Sequence, residues 1–192
     1  RLAVTVLIDF DLKGKFLNFD FFTSIIQSRI RFTYNEVDQL LKNGPTEKKH
    51  TAVLDILNNM YRLSKILRKE RFKSGSVDFH VPEPEIHMNS KGTVEKINKA
   101  QHNEAHKLIE EFMLSANQAV ARHLYKQKLP SIHRIHESPD EKKITAFQEF
   151  VDGFGLRLPS TGEVRSTDLQ NILKKVHGRP EERVVNTLLL RT

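Results

Sequence analysis

Residues 102–127 read HNEAHKLIEEFMLSANQAVARHLYKQ, and this stretch decides how the rest of the chain is read. Leu108, Ile109, Phe112, Met113, Ala116, Val120 and Leu124 recur three and four positions apart, the period that lines one face of an α-helix. A helix over 102–127 is predicted, buried at the centre of the fold. The adjacent carboxylates Glu110 and Glu111 sit directly ahead of Phe112-Met113-Leu114. One of the two must lie nearer the buried stripe than a free surface requires. A carboxylate so placed is either paired with a base or positioned for a ligand.

Upstream, strand and helix signals alternate. Leu2 to Ile8 is rich in Leu and β-branched residues, and Asp11-Leu12-Lys13-Gly14 is a turn signal. Lys15 to Thr23 then alternates Phe16, Asn18 and Asp20 against Leu17, Phe19 and Phe21, so two antiparallel strands are predicted. Ser24 to Arg31 can continue a curved sheet. Thr33 is placed to cap a short helix carrying Val37, Leu40 and Leu41, which Gly44-Pro45 ends. Behind Thr46, the spacing of Val53, Ile56, Leu57, Met60, Leu63, Ile66 and Leu67 predicts a helix of about seven turns. Over Gly75 to Asn89 the period reverses, with Val77, Phe79 and Val81 alternating against Ser76, Asp78 and His80. Pro82 and Pro84 confine that strand to an edge or an exposed groove wall. Thr93 to Ile97 reads as one more short strand.

Downstream, Leu129 to His136 reads as a short strand. Ser138-Pro139-Asp140-Glu141 starts a helix with proline in its first turn, carried by Ile144, Phe147, Phe150 and Val151 and stopped by Gly153 and Gly155. Ser166 to Val176 and Pro180 to Arg191 are two further helices, divided at Gly178-Arg179-Pro180. With no internal repeat and no linker-like tract, one α+β unit is the economical reading: an antiparallel or mixed sheet, a long central helix and several helices around it.

The 192 residues are 38% hydrophobic and 29% charged, an ordinary soluble composition. No apolar run approaches the roughly 20 residues of a membrane-spanning helix. The absence of cysteine excludes disulfides, thiolate nucleophiles and Cys-ligated metal, and fits a reducing, cytoplasmic location. The net charge of +7 and a pI near 9.6 lean toward an acidic partner such as nucleic acid. The chain opens on Arg1 and its last residues break off inside an amphipathic element, so it reads as a piece of a longer protein.

Four features could carry chemistry. Between Glu47 and Lys73 stand Lys48, Lys49, Arg62, Lys65, Arg68, Lys69, Arg71 and Lys73 against Glu47, Asp55 and Glu70. Arg62, Lys65 and Lys69 share a helix face that could track phosphates or simply be solvated. Tyr34 and Phe79 could stack on nucleobases or belong to the core. His102, His106 and Glu110 line one helix face but depart from the H-E-x-x-H spacing of a zinc hydrolase. His133 and His136 would point to opposite faces of a strand. No G-x-S-x-G, glycine-rich phosphate loop or Walker-type motif is present.

Leu108-Ile109-Glu110-Glu111-Phe112-Met113-Leu114-Ser115-Ala116-Asn117 resembles the catalytic (RNB) domain of the ribonuclease II and ribonuclease R family. Arg31-Phe32-Thr33-Tyr34 is similar to that family's R-x-T-Y segment, and Gly75-Ser76-Val77-Asp78-Phe79 follows in the expected order. Downstream, Arg134-Ile135-His136-Glu137-Ser138-Pro139-Asp140, Gly178-Arg179-Pro180 and Leu188-Leu189-Leu190-Arg191 continue the likeness. It runs the length of the chain.

The resemblance implies a 3′-to-5′ exoribonuclease that hydrolyses single-stranded RNA with magnesium and releases nucleoside monophosphates. Carried over residue by residue, it places Tyr34 near the terminal phosphates, Phe79 on the 3′-terminal base and Glu110 at the terminal nucleotide. The family's magnesium-binding aspartate cluster is absent, since Asp9, Asp11 and Asp20 do not reproduce its spacing, and so is its T-S-P-I-R-R segment. Residues 1–192 are therefore expected to be a single partial domain of this type, inactive alone. Strand edges left open by missing neighbours favour self-association. The alternatives are a non-catalytic RNA-binding or scaffold module, which would not need Glu110, and a hydrolase with zinc on His102 and His106.

Overall fold

The computed structural model describes all residues except Thr46, Asp78, 80–83, Gln101, 136–138 and 160–163, and the side chains of Lys48 and Lys49. Among the described residues the order is β1 (Leu2–Phe10), β2 (Phe16–Ile25), α1 (Tyr34–Asn43), α2 (Lys48–Lys73), β3 (Pro84–Met88), β4 (Val94–Lys99), α3 (Glu104–Lys126), α4 (Glu141–Asp152), α5 (Ser166–Val176) and α6 (Glu182–Leu189). The class is α+β. The chain folds as two compact units, Arg1–Glu70 with His102–His133 and Arg71–Gln101 with Arg134–Thr192. The chain passes between them three times, at 70/71, 101/102 and 133/134, and the first crossing falls inside α2, where no linker-like composition marks it.

In the first unit, β1 and β2 form an antiparallel ribbon. Asp11 builds its turn: Oδ1 accepts the backbone N–H groups of Lys13 and Lys15, each at 2.8 Å. These bonds, that from Lys15 foremost, hold its carboxyl below the ordinary range. Asp9 pairs with Asn18 while Phe10 pairs with Phe16, so Leu17 is an extra residue. This bulge corrects the simple alternation expected of β2. Phe16 joins Phe19 and Phe21 on the half-buried side rather than Asn18 and Asp20, and Phe19 and Phe21 pack edge-on against His123 of α3. Beyond Leu2↔Ile25 Arg1 and Ile26 still exchange backbone hydrogen bonds at 2.7 and 2.9 Å, and 27–33 do not continue the sheet.

Thr33 and Glu36 cap α1 reciprocally, and Gly44 closes it with φ 78°. Along α3 the line Ala105, Leu108, Glu111 and Ala119 is buried, whereas Met113 and Val120 of the apolar stripe are exposed.

The second unit is built around Val151, Ile172, Val176 and Val185, all at most 1% exposed, with Leu156 and Leu158 closing the core of α4, α5 and α6. Asp140 caps α4 through the N–H groups of Lys142 and Lys143, so Pro139 precedes the cap instead of occupying the first turn. The helix expected over 180–191 is shorter, Glu182–Leu189. β3 and β4 make a second antiparallel ribbon, joined by a turn in which Asn89 Oδ1 accepts the N–H groups of Lys91 and Thr93.

Two expected strands are corrected. Over 75–89 the strand begins only at Pro84; Val77 and Phe79 pack on the helical core, while Asp78 and 80–83 lie outside the described residues. The physical reason is burial of the two apolar side chains against the helices, at the exit from α2 where Gln170 Nε2 donates to the carbonyls of Phe72 and Ser76 at 3.0 and 2.8 Å. Residues 129–135 form no strand either, and Ile132 and Ile135 are exposed; His136 is outside the described residues. Among the described residues no helix is long and apolar enough to cross a membrane.

Candidate functional site

The first unit gathers the start of α1, the middle of α2 and the first half of α3. Thr33 N–H donates to Glu36 Oε2 at 2.6 Å, and Glu36 N–H returns a bond to Thr33 Oγ1 at 3.3 Å. This capping box sets Tyr34 at the first position of α1. Tyr34 is 45% exposed and its ring stacks flat on His106, with ring centroids 3.9 Å apart and planes 19° from parallel. Beside the pair opens a cleft of about 510 Å³, with Arg31 and Tyr34 on one side and Phe32, Met60, Leu108 and Ile109 among its apolar walls.

Asn103, the N-cap of α3, ties these elements together. Its Oδ1 accepts the backbone N–H of His106 at 3.2 Å and lies 2.7 Å from His106 Nδ1. Its Nδ2 donates to Asn35 Oδ1 at 3.2 Å and to the Tyr34 carbonyl at 3.5 Å. Because Oδ1 can only accept, Nδ1 carries the imidazole proton. Burial first, and then the neighbouring His102, lower the His106 pKa, against a smaller opposite pull from Asp38. The neutral imidazole is thereby favoured.

Glu110 and Glu111 divide as the sequence requires, but Glu110, to which the resemblance assigns a role, is the outer one. Glu111 continues the Ala105–Leu108 line and is 3% exposed, while Glu110 is exposed and lies 3.9 Å from Arg68 Nη1. A carboxylate on the surface is available to a ligand without the cost of burial. On α2, Arg62, Lys65 and Lys69 are exposed, and Lys65 Nζ sits 4.2 Å over the Tyr61 ring. Below them Tyr61 Oη–H donates to Glu104 Oε2 at 3.1 Å. The Lys107 ammonium, 2.8 Å away, is foremost in holding Glu104 below the usual carboxylate range.

Tyr34, Glu110 and the three α2 cations thus belong to the first unit. Phe79 belongs to the second, where it is half-buried against the helical core. Sequence reasoning missed Asn103, and it counted Arg68 only within the basic cluster of α2, not as a neighbour of Glu110. Asn103 had a readable signal, an Asn three residues before His106 at a helix start, whereas the Arg68–Glu110 approach joins two helices and had none.

The magnesium that the resemblance implies would need a set of converging carboxylate or imidazole donors. Among the described residues no three His, Asp or Glu side chains converge where a metal ion could be held. The rings of His102 and His106 are 5.4 Å apart, and His106 Nδ1 is committed to Asn103. The described residues do not fit a metal cage.

The RNB domain model matches residues 1–192, so the chain belongs to the RNB domain family. Among curated proteins it is 38% identical over 192 residues to a ribonuclease R of Aquifex aeolicus, covering 100% of this chain and 27% of that protein. It is 31% identical over 193 residues to ribonuclease R of Escherichia coli, covering 100% of this chain and 24% of the relative. The chain therefore spans about a quarter of the length of these relatives. Among solved structures, the apo form of Mycoplasma genitalium RNase R superposes with a TM-score of 0.90 at 28% identity, covering 100% of this chain and 30% of that one. The same protein in complex with ribose-methylated single-stranded RNA gives the same TM-score, identity and coverage. Its complex with double-stranded RNA gives 0.89 at 27% identity, covering 100% of this chain and 34% of that one.

Proposed function

We propose that this chain is the RNA-gripping part of a 3′-to-5′ exoribonuclease of the ribonuclease R type, acting on single-stranded RNA to release nucleoside monophosphates. The observation that carries the proposal is the family match across all of residues 1–192. The M. genitalium relative described in complex with RNA supports the ligand class.

In this reading Phe79 stacks on the 3′-terminal base, and Tyr34, near the terminal phosphates, offers its ring face to a nucleobase, each stack contributing about 1–3 kcal/mol. Glu110, 3.9 Å from Arg68 Nη1, contacts the terminal nucleotide as a hydrogen-bond acceptor. Arg62, Lys65 and Lys69 neutralise backbone phosphates. Magnesium, where bound in an intact enzyme, would activate the attacking water. With no fitting cage among the described residues, this chain contributes binding and orientation and is inactive alone. A cytoplasmic location belongs to the same proposal, supported by the absence of cysteine. So does self-association along the open ribbon edges, supported by Leu2, Val4 and Ile25, which are 88%, 75% and 83% exposed; sedimentation velocity across a concentration series tests it, and a monomer throughout would refute it.

The test is a titration of the chain into 5′-labelled single-stranded RNA with magnesium over a range of salt, reading binding and products together. Salt-sensitive binding without cleavage is expected. Replacing Arg62, Lys65 and Lys69 together by Gln should reduce the slope of log affinity against log salt by about 2, and an unchanged slope would remove them from the interface. Glu110→Ala should weaken binding; equal affinity would favour a plain RNA-binding module. A stepwise ladder from the 3′ end would overturn the claim of inactivity.

A further inference from the structure

We propose that His106 is a positioning residue for Tyr34, held by Asn103 so that the Tyr34 ring is presented to a nucleobase in one fixed orientation. The inference rests on the reading of Tyr34 as an RNA contact and deepens it.

A half-exposed tyrosine at the first position of a helix would ordinarily sample several rotamers, and a mobile ring is a poor platform because binding must first order it. Here one face is covered. The imidazole of His106 lies 3.9 Å away and 19° from parallel, a face-on stack that covers one side of the phenol ring. His106 is itself immobilised through Nδ1, 2.7 Å from Asn103 Oδ1.

Asn103 in turn is anchored to Tyr34 and Asn35 through its Nδ2. The contacts form a closed circuit of Tyr34, Asn35, Asn103 and His106, joining the N-terminal turns of α1 and α3. The circuit explains why a histidine sits there: a flat ring stacks on tyrosine, and a ring N–H reaches the cap residue of its own helix. Phenylalanine supplies the stack without the bond, and alanine supplies neither. With the inner face of Tyr34 occupied, the outer face is the one left for a base.

The experiment uses the 192-residue chain and a short 5′-fluorescein-labelled oligoadenylate, with fluorescence anisotropy read for wild type, Tyr34→Ala, His106→Ala, His106→Phe and the Tyr34→Ala/His106→Ala double variant. Tyr34→Ala should weaken binding about tenfold, and His106→Ala by a similar factor. The double variant should be no weaker than Tyr34→Ala alone, and His106→Phe should recover part of the loss. Unchanged affinity in His106→Ala, a double variant whose losses multiply, or a Phe variant no better than Ala would each overturn the proposal. Circular dichroism of each variant distinguishes lost positioning from lost folding.

A second readout needs no RNA. The NMR signals of the Tyr34 ring should carry the ring-current shift of the stacked imidazole, lose it in His106→Ala and keep it in His106→Phe; Tyr34 signals insensitive to His106→Ala would refute the stack. Wild-type chain that keeps the shift but binds no RNA would overturn the RNA reading and leave the positioning of Tyr34 established.

Discussion

Replacing Gln170 by Leu should destabilise the second unit by about 2–3 kcal/mol. Gln170 is 7% exposed, and its Nε2 donates to two carbonyls, Phe72 at 3.0 Å and Ser76 at 2.8 Å. Each such bond is worth about 1 kcal/mol net, and a carbonyl left without a donor at a partly buried site adds about 1 more. The Phe72 carbonyl keeps a second donor, the Gly75 N–H at 3.1 Å, so the extra penalty falls chiefly on Ser76. Leu has nearly the volume of Gln, so little cavity penalty enters.

Urea unfolding followed by far-ultraviolet circular dichroism measures the loss, and with a slope of about 1–3 kcal/mol per molar urea the midpoint should fall by roughly 1 M. Gln170→Glu sharpens the test. At neutral pH it turns a carboxylate oxygen toward the two carbonyls, so it should cost more than Leu despite Lys174 Nζ, which already lies 3.0 Å from Gln170 Oε1. A Leu variant within about 0.5 kcal/mol of wild type at unchanged slope would refute the reasoning, as would a Glu variant more stable than Leu.

Gly14→Ala should destabilise more than Gly92→Ala. Both glycines hold positive φ, 81° and 76°, but a Cβ at Gly14 would meet Ile66 Cγ2 at 2.7 Å while one at Gly92 meets nothing within 4 Å. The shared backbone cost is about 1–2 kcal/mol; equal losses by urea unfolding would show that Ile66 yields freely. The folded state also lowers the His106 pKa, so the unfolded chain binds more protons just below the ordinary value of about 6.5. Stability from this group is full above that value and falls as the solution is acidified through it. The chain has nine histidines, so the check is the difference in Tm between wild type and His106→Phe from pH 7.5 to 5.5; parallel profiles would refute it. Glu104, also lowered in the folded state, should add a separate loss at more acidic pH. Glu104→Gln should remove that second step, and a profile unchanged by the substitution would refute the assignment.

Local chemistry was readable residue by residue. Thr33 announces the start of α1, Asp11 and Gly14 the first ribbon turn, and the spacing of apolar positions announces α2, α3 and α4, because each signal acts within a few residues of the chain. The motifs around Tyr34, Phe79 and Glu110 pointed to the RNB family by their order, and the family match spans them.

Tertiary structure decided what local chemistry leaves open. A one-residue bulge opposite Asp9 changed the face on which Phe16 lies, since register belongs to a pair of strands. Val77 and Phe79 have β-type periodicity, yet they pack on the apolar core of the second unit, just after the point where Gln170, nearly a hundred residues away, binds the carbonyls of Phe72 and Ser76. Of two adjacent glutamates, helical phase buried Glu111 and left Glu110 facing Arg68. The amino-acid order determined which groups are present and which short segments turn or coil; packing between distant segments determined which faces are covered, and hence that Tyr34 rests on His106 with one face left for a ligand.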